Sequence, residues 1–178
     1  MTPDSARLMA RYNQWMNTRL VECATRLDPA ELSKERGAFF GSIIGTLNHI
    51  AVADLIWLRR LAMHPAKFPG LKALDNETAF PRPLALRDTL SNEIAAFGAL
   101  RQRIDGMIVD WADEVTAGHF ASTLAYTNMA GATQQKPFWT VVQHLFNHQT
   151  HHRGQITTLF FQAGVDVGAT DLLAMPMA

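Results

Sequence analysis

Cysteine is nearly absent from this chain of 178 residues. Cys23 stands alone, so no intramolecular disulfide can form, and a reduced, cytoplasmic setting is expected. An excess of charge is missing as well: 16 basic side chains balance 16 acidic ones. That leaves no electrostatic footprint for nucleic acid or for an anionic membrane surface. The low charge also weakens repulsion between copies, which favours self-association. No uninterrupted apolar run approaches the ~20 residues of a membrane span. The opening Met1-Thr-Pro-Asp4 leads into a charged amphipathic segment, without the cationic-then-apolar order of a signal peptide. Internal repeats and low-complexity tracts are lacking too.

What is present is a hydrophobic content of 48%, enough to bury a core, and a length that fits one domain over residues 1–178. Thr2, Pro3 and Asp4 read as a helix start, and Leu8, Tyr12, Trp15, Leu20 and Leu27 continue near helical spacing to about Leu27. Asp28-Pro29 ends that helix and opens a short helical turn from Glu31 to Arg36. Gly41-Ser42 starts a second long helix, which Pro65 terminates. Its apolar positions wrap nearly the whole circumference, so it is expected at the centre of the fold or at a subunit contact. A loop follows from Pro65 to about Pro83. A third helix is expected from about Leu86 to Trp111, its polar positions alternating in sign as on a solvated face. The segment from Phe120 to Lys136 is rich in small and β-branched residues and suits a short hairpin. Lys136-Pro137 opens a fourth helix that Gly164 closes. The expected fold class is therefore all-α, a four-helix bundle with at least one long crossover and a short hairpin before the last helix.

Four of the seven histidines, His144, His148, His151 and His152, fall within nine residues of the fourth helix. Positions four apart present side chains from successive turns, so His148 and His152 can share one metal ion. Both lie in or beside the apolar arc of Phe138, Val141, Leu145, Ile156 and Leu159, whereas His144 sits on its shoulder and His151 further out. His49, on the apolar second helix, supplies a third imidazole. Two ligands from one helix and one from another make a three-histidine site with a coordination position open to water or substrate. The competing reading makes all three ordinary hydrogen-bonded core histidines.

Around them, Asp54 is a candidate partner for an imidazole or for Arg59 or Arg60, or else a surface acid in a dimer contact. Arg153 is a candidate for orienting an anionic substrate group, or else part of a surface or inter-subunit ion pair. Gln155 and Asn147 are candidate donors to ligand imidazoles. Trp57 reads first as core or interface packing and second as pocket lining.

Leu47-Asn48-His49-Ile50 with Asp54 and Trp57, and Asn147-His148-Gln-Thr-His151-His152-Arg153-Gly154-Gln155 late in the chain, resemble the DinB/YfiT-like four-helix-bundle metalloproteins. The likeness extends to Tyr126, Gly131, Pro137 and the Asp171–Pro176 tail. It implies a divalent metal, commonly nickel or zinc, held by His49, His148 and His152. It also implies up-down-down-up connectivity and frequent homodimers. Some relatives are thiol-dependent transferases, so the resemblance implies a low-molecular-weight thiol and a small electrophilic substrate. Asp54, Trp57, His144, Arg153 and Gln155 are the candidates for binding that substrate or supporting the ligands. The alternative is a non-catalytic metal-binding or stress-response module, which a fourth protein ligand from His144 or His119 would favour.

Overall fold

A computed structural model describes residues 1–176. Helix α1 (Pro3–Ala24) starts where Thr2 caps it: the Thr2 hydroxyl accepts from the Ser5 amide at 3.2 Å, and the Ser5 hydroxyl accepts from the Thr2 amide at 2.8 Å. Asp28 caps the short α2 (Pro29–Ser33), accepting from the Glu31 amide at 2.8 Å. Ser42 caps α3 (Ile43–Leu61) in the same manner.

Between α3 and α4 (Ile94–Glu114) the chain is irregular apart from a 3-10 turn over Pro69–Asp75. The third long helix thus begins at Ile94, not near Leu86. Local side chains explain the difference. Asp88 accepts from the amides of Leu84 and Ala85 at 2.6 and 3.0 Å, and Asn48 on α3 accepts from those of Leu90 and Ser91 at 2.7 and 3.1 Å. These bonds satisfy backbone groups that a helix would otherwise use.

After α4 come α5 (Ala117–Phe120) and the expected hairpin, β1 (Thr123–Thr127) paired antiparallel with β2 (Thr133–Pro137), Thr123 opposite Pro137. Helix α6 (Phe138–Gln162) follows directly and ends before Gly164, whose φ of 79° is the left-handed conformation common at such ends.

The long helices pack through α1 against α4 and α6, and through α3 against α6 and α4. Arg7 meets Asp113 and Asn17 meets Asp105, so α1 and α4 run antiparallel. Asn48 reaches Ser91 and Asp54 reaches Arg101, so α3 leads into α4 in the same sense. Fifteen of the nineteen residues of α3 are buried, so its apolar circumference is consumed inside the chain. No helix among the described residues is long and apolar enough to cross a membrane.

Five polar side chains cross the core. Asn17 of α1 donates to Asp105 of α4 at 2.8 Å. Arg101 of α4 bridges Asp105 (2.8 Å) and Asp54 of α3 (2.6 Å), and Gln149 of α6 donates to Asp54 at 2.8 Å. All five are buried, so α4 does not expose a purely solvated face: Arg101 and Asp105 lie inside. Burial pushes the Asp105 carboxyl up to about 6 against the pull of Arg101. Arg101, held between two carboxylates, is raised above its ordinary value despite its burial.

Candidate metal centre

Three imidazoles converge where the first turns of α3 face the middle of α6. His49 Nε2 lies 3.3 Å from His148 Nε2 and 3.2 Å from His152 Nε2, and the last two are 3.1 Å apart. Their opposite ring nitrogens settle what those atoms are. His49 Nδ1 lies 2.9 Å from the Leu86 carbonyl, an acceptor only, so it carries the proton and leaves a lone pair on Nε2. His152 Nδ1 likewise donates to Gln155 Oε1 at 2.7 Å. His148 Nδ1 is buried without a partner. The lone pairs of His49 and His152 therefore point at one another, an arrangement that repels unless a cation, or a proton on His148 Nε2, sits between them.

The spacing fits a cation. Nitrogens about 2.0–2.1 Å from a tetrahedral ion are held about 3.3 Å apart. Among the described residues these three form the one group of histidine, cysteine or carboxylate side chains whose ligand atoms all lie within 4.8 Å of one another.

Electrostatics keep the three rings uncharged at neutral pH. Desolvation, then the neighbouring His152 and His49 rings, brings the His148 imidazole down to about 3. Burial also lowers His49 and His152, opposed by the Leu86 carbonyl and by Gln155 respectively. Phe40 covers one flank, stacked on His49 with ring centroids 3.7 Å apart. Gly45 makes that possible, since a Cβ there would collide with the Phe40 carbonyl oxygen.

The remaining candidates separate. His144 is exposed, with its ring 5.9 Å from that of His148 and 4.8 Å from that of Trp57, and it stays outside the ligand group. His119 lies near the hairpin, 5.6 Å from the His64 ring. His151 is exposed, facing the Gln155 amide at 3.3 Å. Asp54 is directed away from the imidazoles and from Arg59 and Arg60, into the ion pair with Arg101. Arg153 points to α1, buried, donating to Asn13 and Thr150 beneath the Tyr12 ring. It is buried and forms no ion pair among the described residues.

Sequence reasoning missed Leu86, whose backbone oxygen carries no sequence signal, and Phe40, which lies outside both histidine motifs. It also missed Gln149, Arg101 and Asp105. The last two could have been found: Phe97, Arg101, Ile104, Asp105 and Ile108 share one helical face, so an i, i+4 ion pair stands in the apolar stripe.

His64 accepts from the Ala66 amide on Nδ1 and therefore donates from Nε2 to Ser122 Oγ at 2.9 Å. A ring that donates cannot take the hydroxyl proton, so this pair ties the hairpin to the end of α3 and does not activate Ser122.

A mostly helical fold draws three imidazoles from two helices to one point, a group that could hold a metal ion, and no fourth histidine, cysteine or carboxylate joins it among the described residues. The family model of the DinB family matches residues 2–178, and the chain belongs to that family. It is 26% identical over 168 residues to Protein DinB of Bacillus subtilis (strain 168), covering 94% of this chain and 91% of that protein. No solved structure matches it at a significant level.

Proposed function

We propose that the chain binds one divalent ion, nickel or zinc, through Nε2 of His49, His148 and His152, and uses it in thiol-dependent transfer to a small electrophile. The observation that carries the metal assignment is the convergence of lone pairs at 3.1–3.3 Å, two of them fixed by acceptors on the far side of the rings. An ion bound there would supply positive charge that lowers the pKa of a coordinated water or thiol toward neutrality.

The chain's own residues hold the ligands and shape the space. The Leu86 carbonyl and Gln155 fix ring orientation, Phe40 excludes water from the His49 flank, and Trp57 with His144 walls the side toward the hairpin. Since neither His144 nor His119 joins the ligand group, a coordination position would remain open to a small molecule. The lack of a carboxylate in that group favours a thiol over water, because a thiol ionises with less help. The opposed runs of α1 and α4 and the common sense of α3 and α4 support an up-down-down-up bundle as the scaffold.

Elemental analysis of purified protein tests the assignment. One ion per chain is expected, with most of it lost in His49→Ala, His148→Ala or His152→Ala and retained in His151→Ala. Full occupancy in His49→Ala would overturn the ligand set. Turnover of an alkylating electrophile that stays unchanged when thiols are omitted would remove the transferase reading and leave a metal-binding module.

A further inference from the structure

One turn beyond Trp57 on α3, Arg60 is half-buried with its Cζ 4.3 Å from the Trp57 ring centroid and 5.1 Å from that of Tyr126. Among the described residues no carboxylate lies within 4.0 Å of its guanidinium. Rings against a guanidinium occupy its faces and leave its N–H groups to an incoming anion.

Arg60 also lines a cleft of about 450 Å³ together with Arg59, Lys67 and Arg82, against the single acid Asp75. Arg82 is answered by Glu77 at 2.8 Å. Arg59 donates from its two terminal nitrogens to the carbonyls of Leu74 (3.0 Å) and Phe80 (2.7 Å), bonds that do not cancel its charge, and its buried Nε has no partner. Lys67 is exposed and has no carboxylate within 4.0 Å among the described residues. A chain with no net charge has thus gathered unneutralised cations at one cleft, and the cleft has the size of a small-molecule site.

The same arginine is joined to the histidines by contacts. Trp57 lies 4.8 Å from His144, whose ring is 5.9 Å from that of His148. Along α3 the rise from His49 to Arg60 is about 16 Å.

We propose that Arg60, backed by Arg59 and Lys67, anchors the negatively charged end of an elongated small molecule bearing carboxylate or phosphate groups. The other end of that molecule lies along Trp57 and His144 toward His148. The anion site stands on its own geometry; the placement of the far end rests on the metal chemistry proposed above.

Calorimetric titration of the purified full-length protein with glutarate and, separately, with phenyl phosphate tests this, the stronger ligand showing which oxyanion the cleft prefers. Saturable binding of at least one is expected, weakening as salt rises. Arg60→Gln should weaken it by about tenfold or more, and Lys67→Glu should weaken it too. Lys67 is exposed, so its variant carries the test if Arg60→Gln does not fold. His152→Ala should bind the anion as wild type does, so loss of the metal assignment leaves this one standing. Absence of saturable binding to both probes, or wild-type affinity in the Arg60 and Lys67 variants, would overturn it.

Discussion

At Gln155, an exposed position on α6, one side-chain amide sets the chemistry of a neighbouring ring: its oxygen takes the Nδ1 proton of His152 at 2.7 Å. Without that acceptor, His152 is free to rotate and to exchange tautomers. Gln155→Ala should weaken zinc binding by about tenfold while leaving the melting temperature of the metal-free protein unchanged. Competition against a chelator gives the first number, and unchanged affinity would separate Gln155 from the site. Protonation acts on the same residues. His148 falls to about 3 in the fold from an ordinary value of 6.5, and His49 and His152 fall as well. Below pH 6.5 the unfolded chain therefore binds more protons than the folded one. The stability linked to these rings is fully present above that pH and is lost as pH falls toward 3. Asp105 works in the opposite direction: its folded value of about 6 exceeds 3.8, so its contribution is lost as pH rises through that window. The clean measurement is a comparison by calorimetry. Metal-free wild type should lose melting temperature relative to His148→Ala as pH is lowered from 6.5, and parallel curves would contradict the depressed imidazole.

At the scale of elements, the chain Asn17–Asp105–Arg101–Asp54–Gln149 touches each of the four long helices and fixes how they slide against one another. Asp54→Ala leaves Arg101 short of one carboxylate and Gln149 without its acceptor. Removing one partner of a buried pair costs about 3–5 kcal/mol, so the urea midpoint should fall accordingly; a loss near zero would mean that water reaches the network. How much of this was legible in the sequence follows from separation along the chain. The caps at Thr2, Asp28 and Ser42, the hairpin and the glycine stop at Gly164 are local events, and local residue types announce them. The inward pair His148 and His152 follows from helical period alone. The start of α4 is not legible in the sequence, because Leu86 and Leu90 fall by coincidence at helical spacing, whereas Asn48, more than forty residues earlier, dictates the loop's backbone bonds. Arg101 and Asp105 look solvated until Asp54 and Asn17 are known to face them. The support of His49 by Leu86, 37 residues away, is likewise a product of tertiary folding.

For the whole molecule, the burial of α3 within its own chain removes the apolar helix as a subunit contact, and other side chains take over that argument. Phe39, Leu84, Phe161 and Leu173 remain exposed by 71%, 81%, 77% and 97%. Together with the absence of net charge, they lead us to expect a homodimer, and light scattering that reports a monomer at micromolar concentration would remove it. A different consequence comes from the carbonyl of Leu86. It belongs to an irregular segment, yet it holds a ring whose other nitrogen faces the proposed ion. Thermodynamic reciprocity then applies: whatever factor the ordered segment adds to ion affinity, the ion returns as added order in the segment. Scarcity of metal would be written into the backbone of a segment that supplies no ligand, and amide hydrogen exchange over residues 84–91 should slow on loading. Exchange that is identical with and without metal would show the two to be uncoupled. With coupling, the stretch between α3 and α4 becomes a gauge of metal supply that a protease or a partner protein can read without touching the ion.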